Sequence, residues 1–130
     1  MTVVEKTSFS EPGLQSSLEG ASKSSLDELE FGVIGFDALG IVRQYNTYES
    51  EAAGLSLERV LGHSLFTVVA PCMNNYLVAQ RFEDAQSAGT PLDTTIDYVL
   101  TLRMRPVKVK LRLLSDPGSS MSYVLVQRLG

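Results

Sequence analysis

The sequence predicts an α+β domain: a five-stranded antiparallel sheet, with short helices and one long helix grouped on one side, plus an N-terminal cap. Three observations carry this reading. A hairpin pattern begins at Phe31. A series of short helical segments, closed in turn by Gly54, Gly62 and Pro71, then leads into one longer amphipathic helix. Three extended segments finish the chain, so that strands and helices are segregated rather than alternating.

Residues 1 to 30 form the cap. They contain seven serines and only scattered apolar positions, a composition too poor to fold by itself. Leu14 and Leu18, four apart, and Leu26 and Leu29, three apart, give two short helices one small apolar stripe each, so the segment is expected to lean weakly on the domain of residues 31 to 130. Phe31-Gly-Val-Ile-Gly-Phe36 and Ile41-Val-Arg-Gln-Tyr45 flank the turn Asp37-Ala-Leu-Gly40 and form the hairpin. Asn46, with Glu49 three residues on, has the form of a capping box and starts a helix over 47 to 53. Ser56 to Leu61 repeats the pattern, and a third turn, Ser64 to Ala70, runs into Pro71.

Asn74 or Asn75 is expected to start the long helix, which ends near Ala88 with Gly89 as its cap. Val78, Phe82 and Ala85 give it a core-facing stripe. Extended segments follow at about 92 to 104, 107 to 114 and 121 to 129, with Asp116 to Ser120 turning between the last two. In Val107-Lys-Val-Lys-Leu-Arg112 the strict alternation puts Lys108, Lys110 and Arg112 on one face, read as solvated. Arg103 and Arg105 have the opposite parity, so Pro106 marks a bulge or break.

A chain of 130 residues, 44% hydrophobic, suits one domain with one core. Its net charge of −4 gives no overall basic footprint for nucleic acid or an anionic membrane. The cationic stretch 103 to 112 has no interleaved aromatic on which bases could stack. Glu5 comes too early for a signal peptide and no run reaches bilayer length, so a cytoplasmic protein is expected.

One cysteine makes no internal disulfide, and one cysteine with one histidine builds no structural zinc site. Cys72 is therefore either a small buried hydrophobe or a reactive thiol. A Cys–His hydrolase would need His63 to meet Cys72, and a third group to orient it. His63 reads instead as an exposed turn residue, and no acid, base and nucleophile set points to an enzyme.

Five stretches stand out together: Gln44-Tyr45-Asn46 with Glu49, Val69-Ala70-Pro71-Cys72, Arg81-Phe82, Asp97-Tyr98, and Met104 ahead of Pro106-Val-Lys-Val-Lys110. In these the chain resembles the photoactive yellow protein family of PAS-type blue-light receptors. The match runs from Phe31 to about Leu129. It implies a PAS-like sheet and a p-coumaric acid (4-hydroxycinnamic acid) chromophore, thioester-linked to Cys72, whose phenolate accepts hydrogen bonds from Tyr45 and Glu49. It further implies a pocket lined by Ala53, Leu55, Ala70, Pro71, Tyr98, Leu100 and Met104, and an unnamed downstream signalling protein as partner. Light would isomerise the chromophore, a neutral Glu49 would give up its proton, and the resulting unpaired buried carboxylate would loosen the cap.

Bland readings stand beside each role: an inert Cys72, Glu49 as reciprocal partner of Asn46 in the capping box, and Tyr45 as ordinary packing. Ala53 and Leu55 replace the family's usual threonine and arginine, and Leu100 and Leu102 replace aromatics, whereas Met104 matches. These departures keep open a PAS interaction module with a non-covalent ligand or protein partner and no chromophore.

Overall fold

A computed structural model describes residues 8–101 and 106–128. Two short helices, α1 (Leu14–Glu19) and α2 (Lys23–Asp27), precede the hairpin of β1 (Gly32–Asp37) and β2 (Val42–Tyr45). Helices α3 (Thr47–Ala53) and α4 (Leu57–Val60) follow, then a π-helical turn at Leu65–Val69, a 3-10 turn at Pro71–Met73, and α5 (Ala79–Ala88). Strands β3 (Leu92–Leu100), β4 (Val107–Ser115) and β5 (Met121–Arg128) complete one antiparallel sheet, ordered β2-β1-β5-β4-β3. The first and last strands in sequence thus lie side by side, with Ile34 opposite Val124.

Strand alternation sends neighbouring residues to opposite faces, and both faces are covered. On one, Ile34 and Phe36 of β1, Leu111 and Leu113 of β4, and Val124 and Val126 of β5 meet Val60, Leu65, Val78 and Phe82 of the helical layer. On the other, Val33, Leu114, Tyr123 and Leu125 meet Phe9, Leu14, Leu18 and Leu26 of the cap. The fold therefore has two cores, and the cap makes a layer of its own. Leu14, Leu18 and Leu26 are almost fully buried, and each burial contributes about 1.5–3 kcal/mol. The segment is seated more firmly than its composition suggests.

That covered face changes the reading of the basic strand. Lys108 and Lys110 are exposed, but Arg112 is buried beneath the cap. Its Nη1 donates to the carbonyls of Phe9 (3.0 Å) and Glu11 (2.8 Å), while Nε and Nη2 grip Asp93 at 2.9 and 2.8 Å. Leu114 has the same parity as Arg112, and its apolar side chain marks how far the cap extends along β4.

The long helix also starts later than Asn74 or Asn75. The Asn75 side-chain oxygen accepts from the amides of Leu77 and Val78, which satisfies both outside a helix and delays the first helical turn to Ala79. Val78 and Phe82 still enter the core as their spacing required. The extended segment expected over 92 to 104 ends as a strand at Leu100; Leu102, Arg103, Met104 and Arg105 lie outside the described residues.

Candidate functional site

Tyr45 reaches the helix-side core through a break in strand register. Tyr45 pairs with Ile34 and Val42 with Phe36, leaving Arg43 as the extra residue, so both Tyr45 and Val42 point into the same core. The Tyr45 hydroxyl donates to the Glu49 carbonyl across 3.4 Å, a long bond that uses little of its donor strength. Burial first, and then the Glu49 charge, raise its pKa well above the ordinary phenol range, so the hydroxyl stays protonated as a donor.

Glu49 lies in the first turn of α3. Asn46 caps this helix, its side-chain oxygen accepting from the Glu49 amide at 3.2 Å. The reciprocal half of a capping box is not made, because the Asn46 amide donates to the Val33 carbonyl and the Glu49 carboxylate turns elsewhere. Glu49 as a whole is 1% exposed, and its carboxylate takes two parallel bonds from Arg128, Nη1 to Oε1 at 2.8 Å and Nη2 to Oε2 at 3.0 Å. Burial holds the Glu49 carboxyl above its usual range even though the guanidinium draws it down. The resemblance implies a neutral Glu49 that donates to a ligand phenolate; here the Glu49 carboxylate lies against the Arg128 guanidinium. Gly32 makes the room: a Cβ there would stand 2.0 Å from Glu49 Oε1.

Asn46 also ties the site to the cap. Its side-chain nitrogen donates to the carbonyls of Leu26 (3.0 Å) and Phe31 (2.9 Å), while Asp27 of α2 accepts from the Thr47 amide at 2.7 Å. The start of the helix carrying Glu49 is thus hydrogen-bonded to the cap.

Cys72 sits in the 3-10 turn, partly buried against the helix-side core. Pro71, which has no amide hydrogen to place, is exposed at the start of this turn. The Cys72 carbonyl is held by the Tyr98 hydroxyl at 2.5 Å and by the Asn75 side chain at 3.1 Å, and Asn75 donates to the Tyr98 oxygen as well at 2.7 Å. Tyr98 also lines an open groove of about 680 Å³ with Leu77, Val99, Lys108 and Val109.

The structure gathers Tyr45, Ala70, Leu100, Leu55, Cys72 and Tyr98 around one core. Ala53 is buried outside that cluster, His63 is exposed, and Met104 lies outside the described residues. Sequence reasoning missed Arg128, Gly32 and the role of Asn75. Arg128 could have been found by parity: it shares a face with Val124 and Val126, and a cation on a core-facing row requires a buried partner. The residues present fit an anionic aromatic ligand in part. They offer a free thiol at the core's edge and a buried phenol with an underused donor, but Glu49 is already engaged by Arg128.

No family model matches the chain. The architecture is that of the PAS fold: the PAS domain of the HTR-like protein from Haloarcula marismortui, 15% identical, superposes with a TM-score of 0.60 over 89% of this chain and 97% of that one. A more similar structure is the photoactive yellow protein domain from the sensor histidine kinase Ppr of Rhodospirillum centenum. It is 32% identical, with a TM-score of 0.80 over 88% of this chain and 99% of that chain. Photoactive yellow protein of Halochromatium salexigens is 33% identical over 121 residues, 93% of this chain and 96% of that protein. That of Rhodothalassium salexigens is 27% identical over 97% of this chain and all of that protein. The chain belongs to the photoactive yellow protein family, PAS-fold photoreceptors of sensory signalling. Among the described residues, no helix is long and apolar enough to cross a membrane.

Proposed function

We propose that this chain, residues 31 to 130 with the cap 1 to 30, is a blue-light receptor that carries p-coumaric acid as a thioester on Cys72. The observation that supports this most directly is the pairing of a tether with a buried donor: the single cysteine stands at the edge of the core into which Tyr45 points. Thioester formation joins the Cys72 sulfur to the acyl carbon as the activating group departs with the thiol proton. When bound, the group supplies visible absorption and a light-driven change of double-bond geometry.

The chain's own residues do the rest. Tyr98 and Asn75 hold the Cys72 carbonyl, so the tethered residue keeps one orientation. Tyr45 donates to the ligand's phenolate oxygen, and burial in apolar surroundings excludes water from it. With the phenolate bound, Glu49 would hold a proton as the second donor in place of its pairing with Arg128, and would release it when the oxygen moves. Asn46 and Thr47 pass the change in α3 to the cap through Leu26, Phe31 and Asp27. The output is read by a downstream signalling protein in the cytoplasm.

Colour is the direct test. With no tryptophan, the chain absorbs nothing in the visible, so protein treated with activated p-coumaric acid should turn yellow, bleach in blue light and gain one coumaroyl group by intact mass. Cys72→Ala should stay colourless. A native chain that takes up no chromophore overturns the reading and leaves a PAS interaction module.

A further inference from the structure

Arg128 lies 79 positions from Glu49 in sequence, yet its guanidinium closes on both carboxylate oxygens in a fork matched to carboxylate geometry. We propose that Arg128 is the resident counter-ion of Glu49 and sets when that carboxyl holds or releases its proton. The consequence for photochemistry rests on the chromophore reading above. The counter-ion role itself stands on the chain alone.

The pair is enclosed rather than superficial. The Glu49 side chain is 2% exposed and that of Arg128 is 17% exposed. A carboxylate so placed without a partner costs several kcal/mol, and removing one member of a buried pair is far more damaging than never having built it. Three elements shape the surroundings. From β1, Gly32 leaves the volume that the carboxylate fills. From β2, Tyr45 brings a phenol whose hydroxyl is directed at the Glu49 carbonyl. From α3, Tyr48 and Glu49 itself act on Arg128, together with Tyr45. Arg128 is the cation that faces the carboxyl among these groups. Burial pushes the Glu49 proton affinity up and Arg128 pulls it down, with burial the larger influence.

This changes the charge account of the light step. A bound phenolate would bring a negative charge to the site, and Glu49 would then hold a proton beside cationic Arg128. When that oxygen moves away and takes up the proton, nothing being oxidised or reduced, Glu49 would return to the contact pair with Arg128 that the structure shows. The buried carboxylate is therefore matched as it forms, in place of the unpaired charge that the motif by itself implied. Arg128 should prolong the deprotonated state.

The test begins without chromophore, by following the Glu49 carboxyl carbon by NMR against pH, with Glu49→Gln to assign the signal. Arg128→Gln should raise the Glu49 midpoint by about 1–3 pH units. Arg128→Lys, which keeps the charge but loses the fork, should raise it less. In the wild-type chain the Arg128 guanidinium nitrogens should titrate with the same midpoint as Glu49, a measurement that needs no variant to fold. In loaded protein, Arg128→Gln should regain protonated Glu49 at least tenfold faster after a flash, read in the infrared carboxylic band. Equal Glu49 midpoints in wild type and Arg128→Gln, or guanidinium signals that ignore the Glu49 titration, overturn the proposal whatever the colour of the loaded protein. Shifted midpoints in a chain that never takes up chromophore sustain the counter-ion and overturn only the chromophore reading.

Discussion

Arg112, on the fourth strand, donates across the sheet's far face to the carbonyl of Phe9 at 3.0 Å. A residue whose alternation with lysines marks it as solvent-facing is therefore a fastening point for the N-terminal layer. The same guanidinium holds Asp93 and the Glu11 carbonyl, so the strand edge, the cap and the central sheet meet at one charge.

Arg112→Met keeps the apolar stem and removes this fastening. Charge-assisted hydrogen bonds to backbone carbonyls are worth more than neutral ones, so the variant should lose about 2–3 kcal/mol. Urea unfolding measures the loss. Amide hydrogen exchange should accelerate first in residues 8 to 20, and uniform exchange across the chain would contradict the fastening role.

Asp93 gives that fastening a pH dependence. Its hydrogen bond from Arg112 holds its carboxyl below the ordinary carboxylate range. A depressed folded pKa contributes stability that is present above the unfolded value, near 3.8, and is lost as pH falls through the lower folded value. Because the Asp93 side chain is 55% exposed, solvent screening limits the contribution to about 1 kcal/mol or less. Thermal melts between pH 5 and pH 2 should show a smaller decline in Asp93→Asn than in the wild type.

Gly32→Ala tests the room made for Glu49. The new Cβ would overlap Oε1 at 2.0 Å and crowd Cδ at 3.0 Å, so the carboxylate must leave its place against Arg128. Overpacking and a disturbed buried pair together should cost at least about 2 kcal/mol. A stable variant with unchanged Glu49 and Arg128 NMR signals would show that the strand can yield there.

Tyr98→Phe removes the donor that grips the Cys72 carbonyl while keeping the ring. Asn75 still reaches that carbonyl, so stability should fall by only about 1 kcal/mol. The greater effect is expected on the turn at Pro71–Met73, where alkylation of Cys72 by a maleimide should run faster than in the wild type. An unchanged rate would mean that the turn is fixed without Tyr98.

How far the chain could be read in advance follows from which forces are local. The hairpin from Phe31, the helix at 47 to 53 with its Asn46 cap and Gly54 end, and the succession of strands and helices along the chain were legible because caps, turn glycines and alternation act within a few residues. Tyr45, Glu49 and Cys72 were legible as candidates through the resemblance that their spacing carries. The start of α5 was misplaced because an asparagine side chain competes with the helix for the same amides, which the helical pattern cannot reveal.

By itself, then, the sequence determined the α+β class, the hairpin, the capped short helices and the residues worth watching, since each depends on steric and hydrogen-bonding rules between near neighbours. Tertiary structure alone decided that the sheet is covered on both faces, that Arg112 is buried, and that Glu49 has Arg128 for a partner. Those outcomes turn on charges and apolar faces far apart in the chain, whose meeting is fixed by strand order and by burial. A side chain's protonation and partners are properties of the place it is folded into.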